Sequence, residues 1–290
     1  MKSTSIRTTE RNESMEYEIK DPMGNMLGME VVGMEEQGLL TRCKLLPQFK
    51  NPYGIAHGGF TYTLAHITAA QSVKLCLGRQ AVVVDAASEY LAPGDTSTLF
   101  GRSMLVRSGR ELIVYKVEIL NERMETVSEQ LITLKEVTYP PVAERVPNPT
   151  IFPAGPETMA DPVSGLLFPS TTPFFMSTCH VYMTGRAENG LIYSADLYPD
   201  NCNAYAAAHG GLIYTCCDCA VGGSSRFLNK KPTVTVSSNI HYLSSGMEGP
   251  IHAEARLRRS GRRIQFYDTD VTDGTGKRIA LAQFVLQALA

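Results

Sequence analysis

Long apolar runs are missing from this chain: nothing approaches the roughly eighteen consecutive apolar residues of a membrane-spanning helix. The stretch from Met1 to Lys20 is polar and mixed in charge, without the apolar centre of a secretory signal, and reads as a flexible leader. An excess of charge of one sign is lacking too, since 27 Lys and Arg stand against 29 Asp and Glu, for a net charge of -2 and a pI near 6.3. No basic run interleaved with aromatics occurs, so neither nucleic acid nor a membrane is an expected partner, although a local patch for one phosphorylated ligand is compatible with the composition. The cysteines do not make a disulfide framework: they number 7, and Cys216, Cys217 and Cys219 crowd one stretch. A reduced, cytoplasmic setting is the simplest reading. Cys216 and Cys219 have no second thiol pair or nearby His to complete four ligands, so no metal is expected and they read as small buried helix residues.

What the chain does have is a duplication. Asn51 to His66 reads Asn-Pro-Tyr-Gly-Ile-Ala-His-Gly-Gly-Phe-Thr-Tyr-Thr-Leu-Ala-His, and 152 positions later Asn203 to Asp218 reads Asn-Ala-Tyr-Ala-Ala-Ala-His-Gly-Gly-Leu-Ile-Tyr-Thr-Cys-Cys-Asp. The same shift maps Gly38-Leu39 on Gly190-Leu191, Tyr90-Leu91 on Tyr242-Leu243 and Ser108-Gly109-Arg110 on Ser260-Gly261-Arg262. One register held across several turns is the mark of two copies of one unit. A length of 290 residues at 43% hydrophobic content is enough to give each copy a core.

In each unit the pattern is strand, helix, then antiparallel meander. Gly38 to Leu46 is strand-like and leads to a Pro47–Pro52 loop. A helix follows from Gly58 to about Leu77, with Phe60, Leu64, Ile67 and Ala70 marking one face for burial. Strand-like runs come next at Ala81–Leu91, Thr98–Val106, Glu111–Leu120 and Thr126–Val137, with turns at Ser108-Gly109 and Asn121-Glu122. Between 139 and 173 lie nine of the 16 prolines, which predicts an extended linker able to reach up to roughly 100 Å. The expected organisation is a leader over 1–22, a first domain over 23–138, a linker over 139–173 and a second domain over 174–290.

A glycine pair entering a helix offers backbone N–H groups without an intrahelical acceptor and without a Cβ in the way. With the helix end worth about half a positive charge, such a turn can hold an oxygen that gains negative charge during acyl transfer, one donor being typically worth about 3 kcal/mol. The same Gly pair also serves simply as a sharp turn.

The Asn, five residues, His-Gly-Gly and helix carboxylate, with the downstream Tyr-Leu and Ser-Gly-Arg, resemble the hotdog-fold acyl-CoA thioesterases of the PaaI type, over about 23–137 and again 174–290. The resemblance implies an α+β fold, an antiparallel sheet wrapped around one long helix, and here two tandem hotdog domains acting as a fused pseudo-dimer. It implies an acyl-CoA substrate, with coenzyme A as part of that substrate and no separate cofactor. It places the orienting Asn at Asn51 and Asn203, and the thioester-polarising turn at His57 and Gly58 and at His209 and Gly210. The helix carboxylate falls on Asp218 alone, where the first copy has His66, and the water-holding strand hydroxyl falls on Thr235, where the first copy has Val83.

On a helix rising about 1.5 Å per residue, Asp218 lies roughly 12 Å beyond Gly210, too far to serve an atom held there. Its partner is therefore expected in the other half. The expected working site combines Asn51, His57, Gly58, Asp218 and Thr235, with Gly59, Arg110 and Arg262 as substrate-binding candidates. The opposite site, from Asn203, His209, Gly210, His66 and Val83, is expected to be degenerate. Asp218→Asn and Asn51→Ala should then abolish hydrolysis, and His66→Ala should do little.

Other readings stand beside these. His66 is either a general base or an interface histidine, Asp218 either catalytic or a buried capping carboxylate, and Arg110, Arg262, Arg226, Lys230 and Lys231 either meet CoA phosphates or are solvated. A non-catalytic acyl-CoA binding or sensing protein is the alternative to the thioesterase, and a hydratase on the same fold is a third. Hotdog dimers commonly associate further, so a dimer of the fused chain is expected.

Overall fold

A computed structural model describes residues 17–139, 158–160, 167–169 and 175–289. The first half runs through helix α1 (Pro22–Leu27), strands β1 (Glu30–Glu35) and β2 (Gly38–Lys44), and a 3₁₀ turn at Pro47–Phe49. Helix α2 (Gly58–Leu77) follows, then strands β3 (Ala81–Tyr90), β4 (Thr98–Ser108), β5 (Leu112–Leu120) and β6 (Thr126–Glu136). Two short strands, β7 (Thr158–Ala160) and β8 (Leu167–Pro169), pair antiparallel between the halves. The rest of the 139–173 linker, apart from Tyr139, lies outside the described residues, as does the leader up to residue 16. The second half repeats the order as α3 (Phe175–Thr178), β9 (Val181–Ala187), β10 (Gly190–Ala195), a 3₁₀ turn at Pro199–Asn201 and α4 (Gly210–Phe227). It closes with β11 (Thr233–Tyr242), β12 (Ile251–Ser260), β13 (Ile264–Thr272) and β14 (Arg278–Ala288).

The strands of both halves form one 12-stranded sheet in the order β1-β2-β4-β5-β6-β3-β11-β14-β13-β12-β10-β9. Period-two patterning tells each strand which face to bury. In β5, Ile113, Tyr115, Val117 and Ile119 are fully buried, while Lys116 and Glu118 face outward and pair with each other. The halves join where β3 pairs antiparallel with β11, Glu89 opposite Ser237, Ala87 opposite Asn239 and Asp85 opposite His241. Because 87 and 239 differ by the repeat shift, a pseudo-twofold axis passes through that pair. The tandem hotdog pair expected from the sequence is the fold observed.

Both long helices lie inside the sheet and against each other. The single buried face expected for 58–77 is too modest: α2 is buried from Gly59 to Ala69 without a break, because the sheet covers one side and α4 the other. Tyr62 and Tyr214 stack on the pseudo-twofold with ring centroids 3.8 Å apart and planes 7° apart, a contact worth about 1 kcal/mol beyond area burial. The second glycine of each pair makes this approach possible, since a Cβ on Gly59 would overlap Thr215 and one on Gly211 would overlap Thr63. Among the described residues no helix is long and apolar enough to cross a membrane.

One boundary needs correction. Residues up to 22 were expected to be loose leader, yet Pro22–Leu27 is a helix and Ile19, Asp21, Met23 and Leu27 are buried. Asp21 caps it by accepting from the Gly24 N–H at 2.9 Å, Pro22 opens it and Gly28 closes it at φ 66°. Those three residues were a readable start and stop signal. Helix α1 packs on the 3₁₀ turn of the second half, and α3 on that of the first, so each half's N-terminal turn covers the other half's loop.

Candidate active site

The loop before α2 is held by its own polar groups. Asn51 Oδ1 accepts from the Tyr53 N–H at 2.9 Å and the Ile55 N–H at 3.4 Å, closing a turn of the kind Asn favours. Asn203 does the same for Tyr205 and Ala207. This local task accounts for both copies of the Asn, and Asn51 has no hydrogen bond to Asp218 or Thr235 among the described residues. Among the described residues its side-chain amide N–H groups have no hydrogen-bond partner.

His57 then caps α2: its Nδ1 accepts the Gly59 N–H at 3.0 Å, and its backbone carbonyl accepts the Thr61 N–H and Oγ1. That leaves Gly58 at the helix start with its N–H unpaired among the described residues. Gly59 was expected to bind substrate, but its N–H is taken by His57 and its Cα packs on Thr215, so its role is structural.

Facing Gly58 is the carboxylate of Asp218, from the other half. A Cβ built on Gly58 would stand 2.8 Å from Asp218 Oδ2. Thr235 on β11 donates to Asp218 Oδ1 at 2.7 Å, which turns Oδ2 toward the Gly58 turn. The Asp218 side chain is 10% exposed, so it is a nearly buried carboxylate.

His57 Nδ1 lies 3.5 Å from Asp218 Oδ2. Since that nitrogen already accepts the Gly59 N–H, the neutral tautomer carries its proton on Nε2, which lies 3.7 Å from Cys219 Sγ. Burial lowers the His57 pKa, with Asp218 opposing only in part. His57 is therefore neutral near pH 7.

The pseudo-twofold brings the other set together with different chemistry. His66 stands against Gly210 as Asp218 stands against Gly58, and its ring would overlap any Cβ there. Val83, buried, takes the strand place that Thr235 has at the first site. His209 caps α4 through the Gly211 N–H at 2.9 Å, its ring centroid is 4.8 Å from that of His66, and its Nε2 is 3.4 Å from Asp21 Oδ2. The carboxylate near this loop thus arrives from the N-terminal segment and meets the histidine. This docking of Asp21 was missed in the sequence because a pairing across 188 positions leaves no local pattern.

Burial first, then neighbouring His209, lowers the His66 pKa to about 3, with Asp21 opposing. An imidazole that is neutral when folded but protonates near pH 6.5 when unfolded makes the unfolded chain bind more protons between those values. Stability is then complete above about pH 6.5 and declines toward pH 3, by up to about 1.4 kcal/mol per pH unit from this one group. His57 acts in the same direction. Urea unfolding at pH 5 and 7.5 should show a smaller difference in His66→Asn than in the unaltered protein.

Arg110 and Arg262 are exposed in the hairpin turns after β4 and β12, and neither guanidinium is bonded to a residue of the site. Among the described residues no cluster of three His, Cys, Asp or Glu is placed to hold a metal ion.

A family model described as the thioesterase superfamily matches residues 53–128 and 205–280, just over half of the chain. The chain belongs to the thioesterase superfamily. Both copies of the repeat carry the match, each including one glycine pair and the following helix. By sequence, the acyl-coenzyme A thioesterase PaaI of Escherichia coli is 27% identical over 109 residues, which is 37% of this chain and 77% of that protein. Two solved structures span the tandem. A conserved protein of unknown function with a hot dog fold from Alicyclobacillus acidocaldarius has a TM-score of 0.64 at 13% identity, covering 92% of this chain and 98% of its own. The acyl-CoA thioesterase II TesB2 of Mycobacterium marinum has a TM-score of 0.61 at 11% identity, again over 92% and 98%. At those identities the likeness is one of fold: a double hotdog.

Proposed function

We propose that this thioesterase-superfamily chain hydrolyses an acyl-CoA thioester at one site, built from the first half's Gly58 turn and the second half's Asp218. The observation that carries the reading is the placement of a nearly buried carboxylate, oriented by Thr235, at the open N-terminus of the opposing helix. In this account the Gly58 N–H donates to the thioester carbonyl oxygen. Asp218 Oδ2 takes a proton from water as the water oxygen adds to the carbonyl carbon, and the negative charge passes to the oxygen held at Gly58. Collapse breaks the C–S bond, and the proton on Asp218 passes to the departing thiolate, giving free acid and CoA. Direct attack by Asp218 Oδ2 on the carbonyl carbon uses the same geometry. It breaks the C–S bond to release CoA thiolate, which takes a proton from water, and leaves an acyl anhydride that hydroxide or water then opens to free acid and Asp218. Thr235 fixes the carboxylate, and the Asn51 amide N–H groups orient substrate or water. No residue in this account asks for a separate cofactor.

The second crossed site lacks both the helix carboxylate and the strand hydroxyl, and His66 occupies the space beside Gly210. We therefore assign turnover to the first site alone. The alternative, a protein that binds or senses acyl-CoA without turnover, draws on that same loss of groups in one half.

Free thiol released from a panel of short aryl and medium-chain acyl-CoAs tests the reading. Turnover of at least one ester that Asp218→Asn removes is the expected result. Tight binding of the ester with no thiol released by the unaltered protein would replace it with the sensing role.

A further inference from the structure

Two half-buried tyrosines, Tyr90 and Tyr242, occupy equivalent places at the two crossed sites. Tyr90 Oη donates to the Gly58 carbonyl at 3.0 Å and lies 2.8 Å from Tyr214 Oη, which lies 2.7 Å from Ser238 Oγ. Tyr242 Oη donates to the Gly210 carbonyl at 2.7 Å and lies 2.9 Å from Tyr62 Oη. A phenol has one proton to give. With Tyr90 donating to Gly58, Tyr214 must donate to Tyr90, and Ser238 in turn to Tyr214. The result is a chain running in one direction from β11 of the second half to the glycine turn of the first, with every hydroxyl satisfied.

The two working groups of the proposed site sit on different halves, Gly58 at the start of α2 and Asp218 on α4. Tyr214 is one helical turn before Asp218, on the same face. Tyr90 thus binds the Gly58 turn directly to the stretch of α4 that carries the carboxylate. The peptide between Gly58 and Gly59 is gripped at both ends, its carbonyl by Tyr90 and its N–H by His57. Burial keeps the Tyr90 phenol protonated well above the usual range, and Asp218 adds to that, so the donor is present at any working pH.

We propose that Tyr90 is a positioning residue: by tying the Gly58 carbonyl to Tyr214 and Ser238 it sets the separation between the Gly58 N–H and the Asp218 carboxylate. This rests on the thioesterase reading of the same site. The pattern of losses at the second site supports it. Ser238 corresponds under the repeat to Ala86, which is fully buried, so among the described residues the chain there ends at Tyr62 without its last donor. The group that completes the chain is thus absent at the same site that lacks the carboxylate and the strand hydroxyl.

The second site supplies a built-in control, because Tyr242→Phe removes an equally buried hydroxyl from an equivalent glycine carbonyl. Tyr90→Phe, Tyr242→Phe and Ser238→Ala are compared in the full chain for kcat, KM and urea midpoint, using the acyl-CoA the unaltered protein turns over fastest. Tyr90→Phe is expected to lower kcat roughly tenfold with KM within about twofold. Tyr242→Phe should leave kcat within about twofold at a similar loss of stability, and Ser238→Ala should give a smaller kcat loss in the direction of Tyr90→Phe. Full kcat in Tyr90→Phe, or equal kcat losses in both tyrosine variants, overturns the assignment while leaving the thioesterase reading intact. Should Tyr90→Phe not fold, an unchanged kcat in Ser238→Ala overturns it and a selective kcat loss supports it. Absence of thiol release by the unaltered protein overturns both.

Discussion

Asp218→Asn is expected to lower thioester hydrolysis about 10²- to 10⁴-fold, the range for removing a positioned general base. The amide has the shape of the carboxylate and keeps an oxygen for Thr235, whose Oγ1 now donates to Oδ1 at 2.7 Å. What disappears is the negative charge beside the Gly58 turn, which neutral His57 cannot replace. Since the acid is not asked to bind the CoA portion, KM should change little, and the urea midpoint should stay near that of the unaltered protein. His66→Ala, the change at the matching helix position, should leave the rate within about twofold. Initial rates of thiol release on the two variants decide the matter. Equal losses would mean that both crossed sites turn over, and a fully active Asp218→Asn would remove the carboxylate from the chemistry.

The second large effect is expected from the glycines themselves. Gly58→Ala puts a methyl 2.8 Å from Asp218 Oδ2, in the space between the carboxylate and the N–H it works with. The carboxylate must shift to make room for the methyl, and since a misplacement of about 1 Å costs about 100-fold in rate, the loss is expected to approach that figure as the shift approaches about 1 Å. Stability should change little, because a glycine of ordinary backbone conformation replaced by alanine can gain about 0.4–1 kcal/mol through the unfolded chain. Gly210→Ala has the opposite signature. Its methyl overlaps the His66 ring, which is packed between the rings of Tyr62, His209 and Tyr242. Overpacking of this sort costs about 1–3 kcal/mol, with the catalytic rate of the folded protein largely kept. Parallel urea titrations and rate measurements on the two alanine variants separate them, and a rate loss confined to Gly210→Ala would reverse the assignment of the working site.

Much of this architecture was legible from the chain because the duplication does double duty. One shift of 152 positions aligned turns, strands and helices, so each half vouched for the other. Strand boundaries at β3, β4, β5 and β6 fell within two residues of their expected places, since period-two burial and tight turns are local properties. The pairing of Asp218 with the Gly58 turn was also legible, by exclusion, because a helix is too stiff to bring residues 210 and 218 of one chain segment together. Helix α1 could have been read from Asp21, Pro22 and Gly28 and was not, because six residues are too few to show a hydrophobic period.

Other features had no local trace. The second glycine of each pair looks from the sequence like another donor for substrate, and only the packing of α2 on α4 shows that Thr215 and Thr63 need that space. The tyrosine-to-glycine bonds join residues 32 positions apart in each half, and the bond from Tyr90 to Tyr214 spans 124, so no spacing rule connects them.

The sequence alone determined that there are two copies of one unit, that their helices and strands come in a set order, and that only one copy carries a helix acid. Those are statements about local backbone preference and about chemical identity, both of which are written in the order of residues. The tertiary structure decided which copy's turn that acid faces at close range, which carboxylate each capping histidine meets, and which glycines are contacts rather than donors. These depend on two helices closing to the distance of a stacked tyrosine pair, and that distance comes from packing summed over the whole interface rather than from any segment of the chain.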